Sequence, residues 1–234
     1  MHPGLPEFSN SILFSFLFII FLKMKYHYNP PYLIKKIFSS LQWESKTDKI
    51  LFTFDDGPIP ETTHIILETL SNRNIKAAFF CVGENISRYP ELYRDIVNEG
   101  HLVCNHTFNH RVLSWLKKSE IIEQIEKFNS SIKKESGEDA LYFRPPHGKF
   151  RLSSLSLLKE MKLKTVMWSL LTYDYKNDIN VVKFATRKYL ERNSIIVLHD
   201  SLKSKDIIVD SINYIADECS RREYQIGDPA ECLR

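Results

Sequence analysis

The sequence predicts an α/β fold with mainly parallel strands, built as one domain. Two observations lead there. From Lys49 onward, short β-rich apolar runs alternate with longer stretches of helical periodicity, and Gly, Pro, Asn or Asp separate them. The unusual polar residues stand directly after the apolar runs instead of being scattered through the helical stretches. In chain order the predicted strands are Ile50 to Phe54, Ala77 to Val82, Leu102 to Cys104, Leu141 to Phe143, Thr165 to Trp168 and Ile195 to Leu198. The predicted helices are Glu61 to Ser71, Glu91 to Glu99, Ser119 to Glu135, Ser153 to Met161, Val181 to Arg192 and Ile207 to Arg222. Pro90 with Glu91 opens the second helix and Gly100 closes it. Ser119-Glu120 opens the third ahead of an Ile121/Ile122/Ile125/Phe128/Ile132 stripe, which reads as a core face.

Three segments result: a hydrophobic extension over residues 1–24, an arm over 25–48 and the α/β domain over 49–230. In the arm, Pro30-Pro31 followed by Tyr32, Leu33, Ile34, Ile37 and Phe38 predicts one short amphipathic helix packed on the domain. The run from Ile12 to Leu22 is apolar except for Ser15, but its eleven residues fall short of the ~20 that span a bilayer. No Lys or Arg precedes it and no small-residue cleavage site follows, so it makes a poor signal peptide. Two readings stay open. In one the run is a short anchor or signal, with membrane contact through residues 12–22 and a membrane-associated or exported chain. In the other the functional chain starts at Met24 and is cytoplasmic.

Composition excludes some classes. With 43% hydrophobic and 26% charged residues, the 234-residue chain buries an ordinary core and is not disordered. A net charge of +3 with scattered basic residues gives no nucleic-acid footprint. The cysteines lack C-x-x-C spacing: Cys81 and Cys104 sit in apolar runs as packing residues, and Cys219 and Cys232 are near enough to the C-terminus for a bridge to be conceivable.

Asp55-Asp56-Gly57-Pro58 follows the first strand, and Asn105-His106-Thr107-Phe108-Asn109-His110 the third. Arg144-Pro145-Pro146-His147-Gly148 follows the fourth, Asp174 comes shortly after the Trp168 strand, and His199-Asp200 ends the last. In a β/α barrel the C-terminal strand ends converge on one face, so these segments can meet in one site. Two histidines four apart plus a carboxylate make a facial ligand set that suits zinc. Each motif also has a plainer explanation. Asp-Asp-Gly-Pro is good turn chemistry, His-x-x-x-His recurs by chance, Arg144 is a ready salt-bridge former, Trp168 a core aromatic, Asp200 a helix N-cap and His101 a structural residue. Their joint placement at strand ends favours metal-assisted hydrolysis, in which an ion acidifies a water and polarises the scissile carbonyl. One carboxylate then takes the water proton, and His199 protonates the leaving nitrogen.

These residues resemble the polysaccharide deacetylases with the NodB-homology domain. The resemblance runs from Lys49 to Gly227 and keeps five motifs in order. It implies a distorted (β/α) barrel of about seven strands. It also implies Asp55 as general base, Asp56, His106 and His110 as ligands of one divalent ion (zinc first, with cobalt, nickel and manganese as alternatives), and His199 as general acid. Arg144 would position the base, Asp174 would pair with Arg144, and the backbone N–H after Pro145-Pro146 would help form an oxyanion hole. The family pattern departs at three places that bear on substrate. His147 stands where an aromatic is usual, Tyr175 replaces a tryptophan wall, and Val197 replaces a leucine lining the acyl pocket; with Pro146 these form the implied substrate contacts. The implied function is N-deacetylation of an amino sugar in a glycan. A small amide, imide or lipid-linked amino sugar as substrate, or a non-catalytic carbohydrate-binding role, are the alternatives.

Overall fold

The computed structural model describes residues 28–234. The apolar run Ile12 to Leu22 and the start at Met24 lie outside the described residues. Seven strands, all parallel, form one sheet: β1 (Leu51–Asp55), β2 (Ala78–Cys81), β3 (Leu102–Asn105), β4 (Tyr142–Phe143), β5 (Lys164–Thr165), β6 (Leu170–Leu171) and β7 (Ile195–His199). Their order is β5-β4-β3-β2-β1-β7-β6. The helices among the described residues are α1 (Tyr32–Ile37), α2 (Pro60–Asn72), α3 (Gly83–Arg88), α4 (Pro90–Asn98), α5 (Lys118–Ser136), α6 (Leu152–Glu160), α7 (Ile179–Tyr189), α8 (Ile208–Arg221) and α9 (Pro229–Leu233).

The six expected strands and six expected helices are all present to within a few residues, with one instructive change. The strand expected over Thr165 to Trp168 forms only at its start, in β5; Val166 to Ser169 link it to a further short strand, β6, which was not expected. The first pairs with β4 and the second with β7, the opposite ends of the remaining sheet, so this one run curls the sheet toward a barrel. The arm completes the curl. Gln42 bridges Val166, Glu44 bridges Ser194, and the Met167 N–H donates to the Gln42 carbonyl at 2.7 Å. The arm is thus integral to the fold, and so is α9, where Cys232 and Leu233 are fully enclosed.

Strand parity sorts the core into two layers. Phe52, Phe54, Phe79, Ile196 and Leu198 face the helices and pack with Ile66, Leu70, Ile96, Ile212 and Ile215. Leu51, Ala78, Phe80, Cys104, Tyr142, Val166 and Ile195 face inward. The inward face of β1 continues through Thr53 to Asp55, and that of β7 through Val197 to His199. Hence the barrel interior is apolar below and polar at its upper rim. All four cysteines are free and buried, so no bridge joins Cys219 to Cys232.

Candidate active site

Asp55, the last residue of β1, is 6% exposed and accepts a 2.6 Å hydrogen bond from Arg144 Nη1. Arg144 is fully buried, yet its donors are well matched: Nη1 also reaches Thr53 Oγ1 at 2.8 Å, Nε the Val166 carbonyl at 3.2 Å and Nη2 the Met167 carbonyl at 2.8 Å. Its guanidinium lies 3.9 Å from the centre of the Phe80 ring. A buried charge so enclosed has one orientation, and that fixes the Asp55 carboxylate.

Asp56 steps off the strand with a left-handed backbone, φ 80. Its Oδ1 lies 3.1 Å from His110 Nε2 and 3.6 Å from His106 Nε2. One ligand atom from each of these three residues falls within 4.8 Å of the others. Ligands about 2.1 Å from a tetrahedral ion stand about 3.4 Å apart, so the set has suitable dimensions for zinc. The tautomer fits as well. His106 Nδ1 lies 2.8 Å from the Arg144 carbonyl, which can only accept, so Nδ1 carries the proton and the Nε2 lone pair faces Asp56. Burial lowers the His106 pKa to about 4, leaving the imidazole neutral as a ligand must be. Burial works against ionisation of Asp56, but the His110 hydrogen bond and the fields of His199 and His106 hold its carboxyl well below the usual range. The His106–His110 pair sits in a loop, not a helix, with Thr107 at φ 69 and His110 at φ 58. That loop is fastened to α3 by Gly83 N–H to the Thr107 carbonyl (3.1 Å) and Glu84 N–H to the Phe108 carbonyl (2.7 Å). Gln124 Oε1 accepts from the Phe108 and Asn109 N–H groups, both at 3.1 Å.

Here one expectation is corrected: Asp174 does not pair with Arg144. Its Oδ1 accepts from His199 Nδ1 at 2.7 Å and its Oδ2 from the His199 backbone N–H at 2.7 Å. The reason is sheet order. Asp174 follows β6, whose neighbour is β7, whereas Arg144 follows β4 and faces β1 across the barrel. Burial disfavours the His199 cation, but the charge and hydrogen bond of Asp174 outweigh this and raise its pKa to about 9. Asp55 and His199 are Cα partners on neighbouring strands, and their side chains are drawn apart, Asp55 toward Arg144 and His199 toward Asp174.

The remaining expected residues line the same rim. The His147 ring is exposed and lies 4.9 Å from the His110 ring, while Pro146 is buried. The His147 backbone is left-handed (φ 57), and the His147 N–H donates to no acceptor among the described residues. Tyr175 stands edge-on to His199 with ring centres 4.8 Å apart. Val197 is buried two residues below His199 on the same face.

Asp200 is not a cap for a helix that follows it. Fully buried, it accepts from the Thr62 hydroxyl, and from Thr63 Oγ1 at 2.7 Å, in the first turn of α2. Burial raises its carboxyl to about 7. Thr53, Gln124 and Thr172, whose hydroxyl donates to Asp174 Oδ1 at 3.0 Å, are supporting residues without an expected role. Strand parity marks Thr53, two before Asp55 on the same face, but no local signal marks Gln124. His101 is structural as expected, its Nδ1 accepting the Ala77 N–H at 3.1 Å.

The sequence model for polysaccharide deacetylases matches residues 43–166. The chain belongs to the polysaccharide deacetylase family. Among similar proteins, a peptidoglycan-N-acetylglucosamine deacetylase of Bacillus cereus is 37% identical over 128 residues, 55% of this chain and 46% of its own length. A second Bacillus cereus protein of that name is 30% identical over 200 residues, 82% of this chain and 92% of its own. The chain spans less than half the length of the first curated relatives it matches. A peptidoglycan N-acetylglucosamine deacetylase solved with 4-naphthalen-1-yl-N-oxidanyl-benzamide superposes with a TM-score of 0.80 at 26% identity, covering 86% of this chain and 96% of that one. The curled seven-strand barrel is therefore this family's fold.

Proposed function

We propose that this polysaccharide deacetylase family member removes acetyl groups from N-acetylated amino sugars in a glycan, using one divalent ion, zinc first, held by Asp56, His106 and His110. A single observation carries the reading. Asp55 and His199, side by side on β1 and β7 at the rim that holds the ligand triad, are biased toward opposite proton tasks by different partners. An ion held there would supply an acidified water and a polarised acyl carbonyl. Asp55, oriented by Arg144, takes the water proton as the C–O bond forms. His199, charged at neutral pH with its Nδ1 proton committed to Asp174, gives its Nε2 proton to the nitrogen as the C–N bond breaks, so an amine leaves and acetate remains. The unpaired His147 N–H is suited to the developing oxyanion. The family names of its relatives support an amino-sugar substrate, and the intact set argues against a purely binding role.

The test is acetate release by zinc-loaded protein from N-acetylated chitooligosaccharides, peptidoglycan strands and simple acetamides. Release should follow glycan length, stop on chelation and return with zinc. His106→Ala and His110→Ala should lose metal and turnover together. Full metal retention in the double variant, or acetate from none of the glycans, would overturn the proposal.

A further inference from the structure

The outward face of α7 takes no part in the site. Asn180, Lys183, Phe184, Arg187 and Lys188, spaced by three and four residues, line a shallow groove of about 490 Å³ on it. Three of the five are cations and none is an acid. Among the described residues these charges are met by rings and a phenol instead of carboxylates: Lys183 and Arg187 lie over Tyr214, Lys188 over Phe184 and Tyr189, and Arg187 Nε donates to the Tyr214 hydroxyl at 2.8 Å. Phe184, a large aromatic, is nonetheless 48% exposed.

A second observation concerns the chain that arrives there. The Tyr28 ring is seated against Phe184, Tyr189 and Tyr173, with ring centres 5.5, 5.4 and 4.9 Å away. Immediately upstream the sequence carries Lys25 and Lys23, then the apolar run Ile12 to Leu22. Even fully extended, the six residues from Leu22 to Tyr28 reach only about 20 Å. A surface that took up the apolar run would therefore lie close to the α7 face. Just downstream, α1 leaves Tyr32 and Leu33 exposed at 78% and 45%.

From this juxtaposition we infer that the α7 face docks on an anionic lipid bilayer in which Ile12 to Leu22 is buried. An eleven-residue run is too short to span, and one weak hydrophobic signal gives only marginal membrane binding, so a second signal is required. A basic face with an exposed aromatic is that signal, each cation near an anionic surface strengthening binding by about fivefold. The face lies along the barrel wall, so docking leaves the strand-end rim open to substrate. This inference does not rest on the deacetylase reading.

The experiment sediments the full chain with phosphatidylcholine vesicles, with and without about one third phosphatidylglycerol. The chain should prefer the anionic vesicles, and roughly 0.5 M salt should erase the preference. A Lys183→Gln/Arg187→Gln/Lys188→Gln variant should bind them on the order of 100-fold more weakly, and Phe184→Ser should weaken binding to both kinds. Acetate release from a soluble oligosaccharide should be unchanged in both variants, which separates this outcome from failure of the site. Equal affinity for neutral and anionic vesicles, or unaltered binding by the triple variant, would overturn the inference. So would a triple variant whose monomer–dimer balance shifts while its vesicle binding stays the same, because the face would then belong to a second copy of the chain.

Discussion

Asp174→Asn is the most discriminating substitution, because the structure moved Asp174 from Arg144 to His199. Raising His199 from 6.5 to about 9 corresponds to roughly 3 kcal/mol favouring the imidazolium, and this is what remains after burial has opposed it. Removing the carboxylate deletes the strongest favourable contribution and leaves the burial. The amide cannot replace it. Asp174 accepts from both the His199 backbone N–H and Nδ1, at 2.7 Å each, and an asparagine turned to serve one of these presents its NH2 to the other. The His199 pKa in the variant should therefore fall to 6.5 or below. At pH 8 the charged fraction drops from about 90% to about 3%, a loss of roughly 30-fold in any step that needs the imidazolium. The measurement is the pH profile of kcat for amide hydrolysis, with bound metal determined on the same samples. The alkaline limb should move down by more than two pH units while metal content stays constant, with activity recovering toward pH 6. An alkaline limb that stays where it was would refute the assignment of His199 as the acid tuned by Asp174.

Three further outcomes follow from the same geometry. Asp55→Asn should retain the metal and lose turnover by roughly 10²–10⁴-fold, because it removes a proton acceptor without touching a ligand; unchanged turnover would contradict the base assignment. Gly148→Ala should cost about 1–2 kcal/mol in thermal denaturation and slow turnover, since a Cβ there would stand 2.5 Å from the Trp168 ring at a residue with φ +65, disturbing the loop that presents the His147 N–H. A variant with native Tm and kcat would show that the loop yields. His101, whose pKa burial lowers to about 4, contributes stability that is complete above 6.5 and lost as pH falls through 6.5 toward 4, when protonation breaks its bond to the Ala77 N–H. Urea denaturation over that range should show up to roughly 3 kcal/mol of pH dependence from this group, and His101→Gln should flatten it.

Most of the framework was legible because apolar runs and strand-end motifs are local signals. What escaped was relational. Nothing local says that Lys164 to Leu171 pairs with two different edges, since two-residue strands have no periodicity to detect. The short helices α3 and α9 fall below the length at which an apolar stripe can be recognised. The Asp174 error has the same origin: the family resemblance implied a pairing with the arginine, and only the sheet order places Asp174 beside β7. The contact of Arg144 with Asp55 is, by contrast, the one the family resemblance implies, and it forms because both residues end strands whose inward faces meet.

The Asp55-Asp56 pair presents a geometric difficulty whose solution explains the rest of the rim. Successive residues of a strand point to opposite faces, so in continuing β geometry one of the two carboxylates would be driven into the helix-facing apolar layer. The strand stops at Asp55, and Asp56 turns to φ 80, a region aspartate tolerates better than most residues. This swings its side chain over the barrel end to the histidines. The turn is held by the Asp56 N–H donating to the Phe80 carbonyl at 3.2 Å and by Asn85 Nδ2 donating to the Asp56 carbonyl at 2.9 Å. The next residue has to be glycine, because a Cβ at Gly57 would lie 2.0 Å from Asp200 Oδ2. Asp200 in turn ties this corner to Thr62 and Thr63 of α2. Left-handed turns recur in the other loops of the rim, at Thr107 and His110, at His147, and at Tyr173 just before Asp174. Each costs of order 1 kcal/mol or more. Such a cost persists only where the surrounding structure fixes the turn, and here each turn aims a group that strand or helix geometry would have pointed elsewhere.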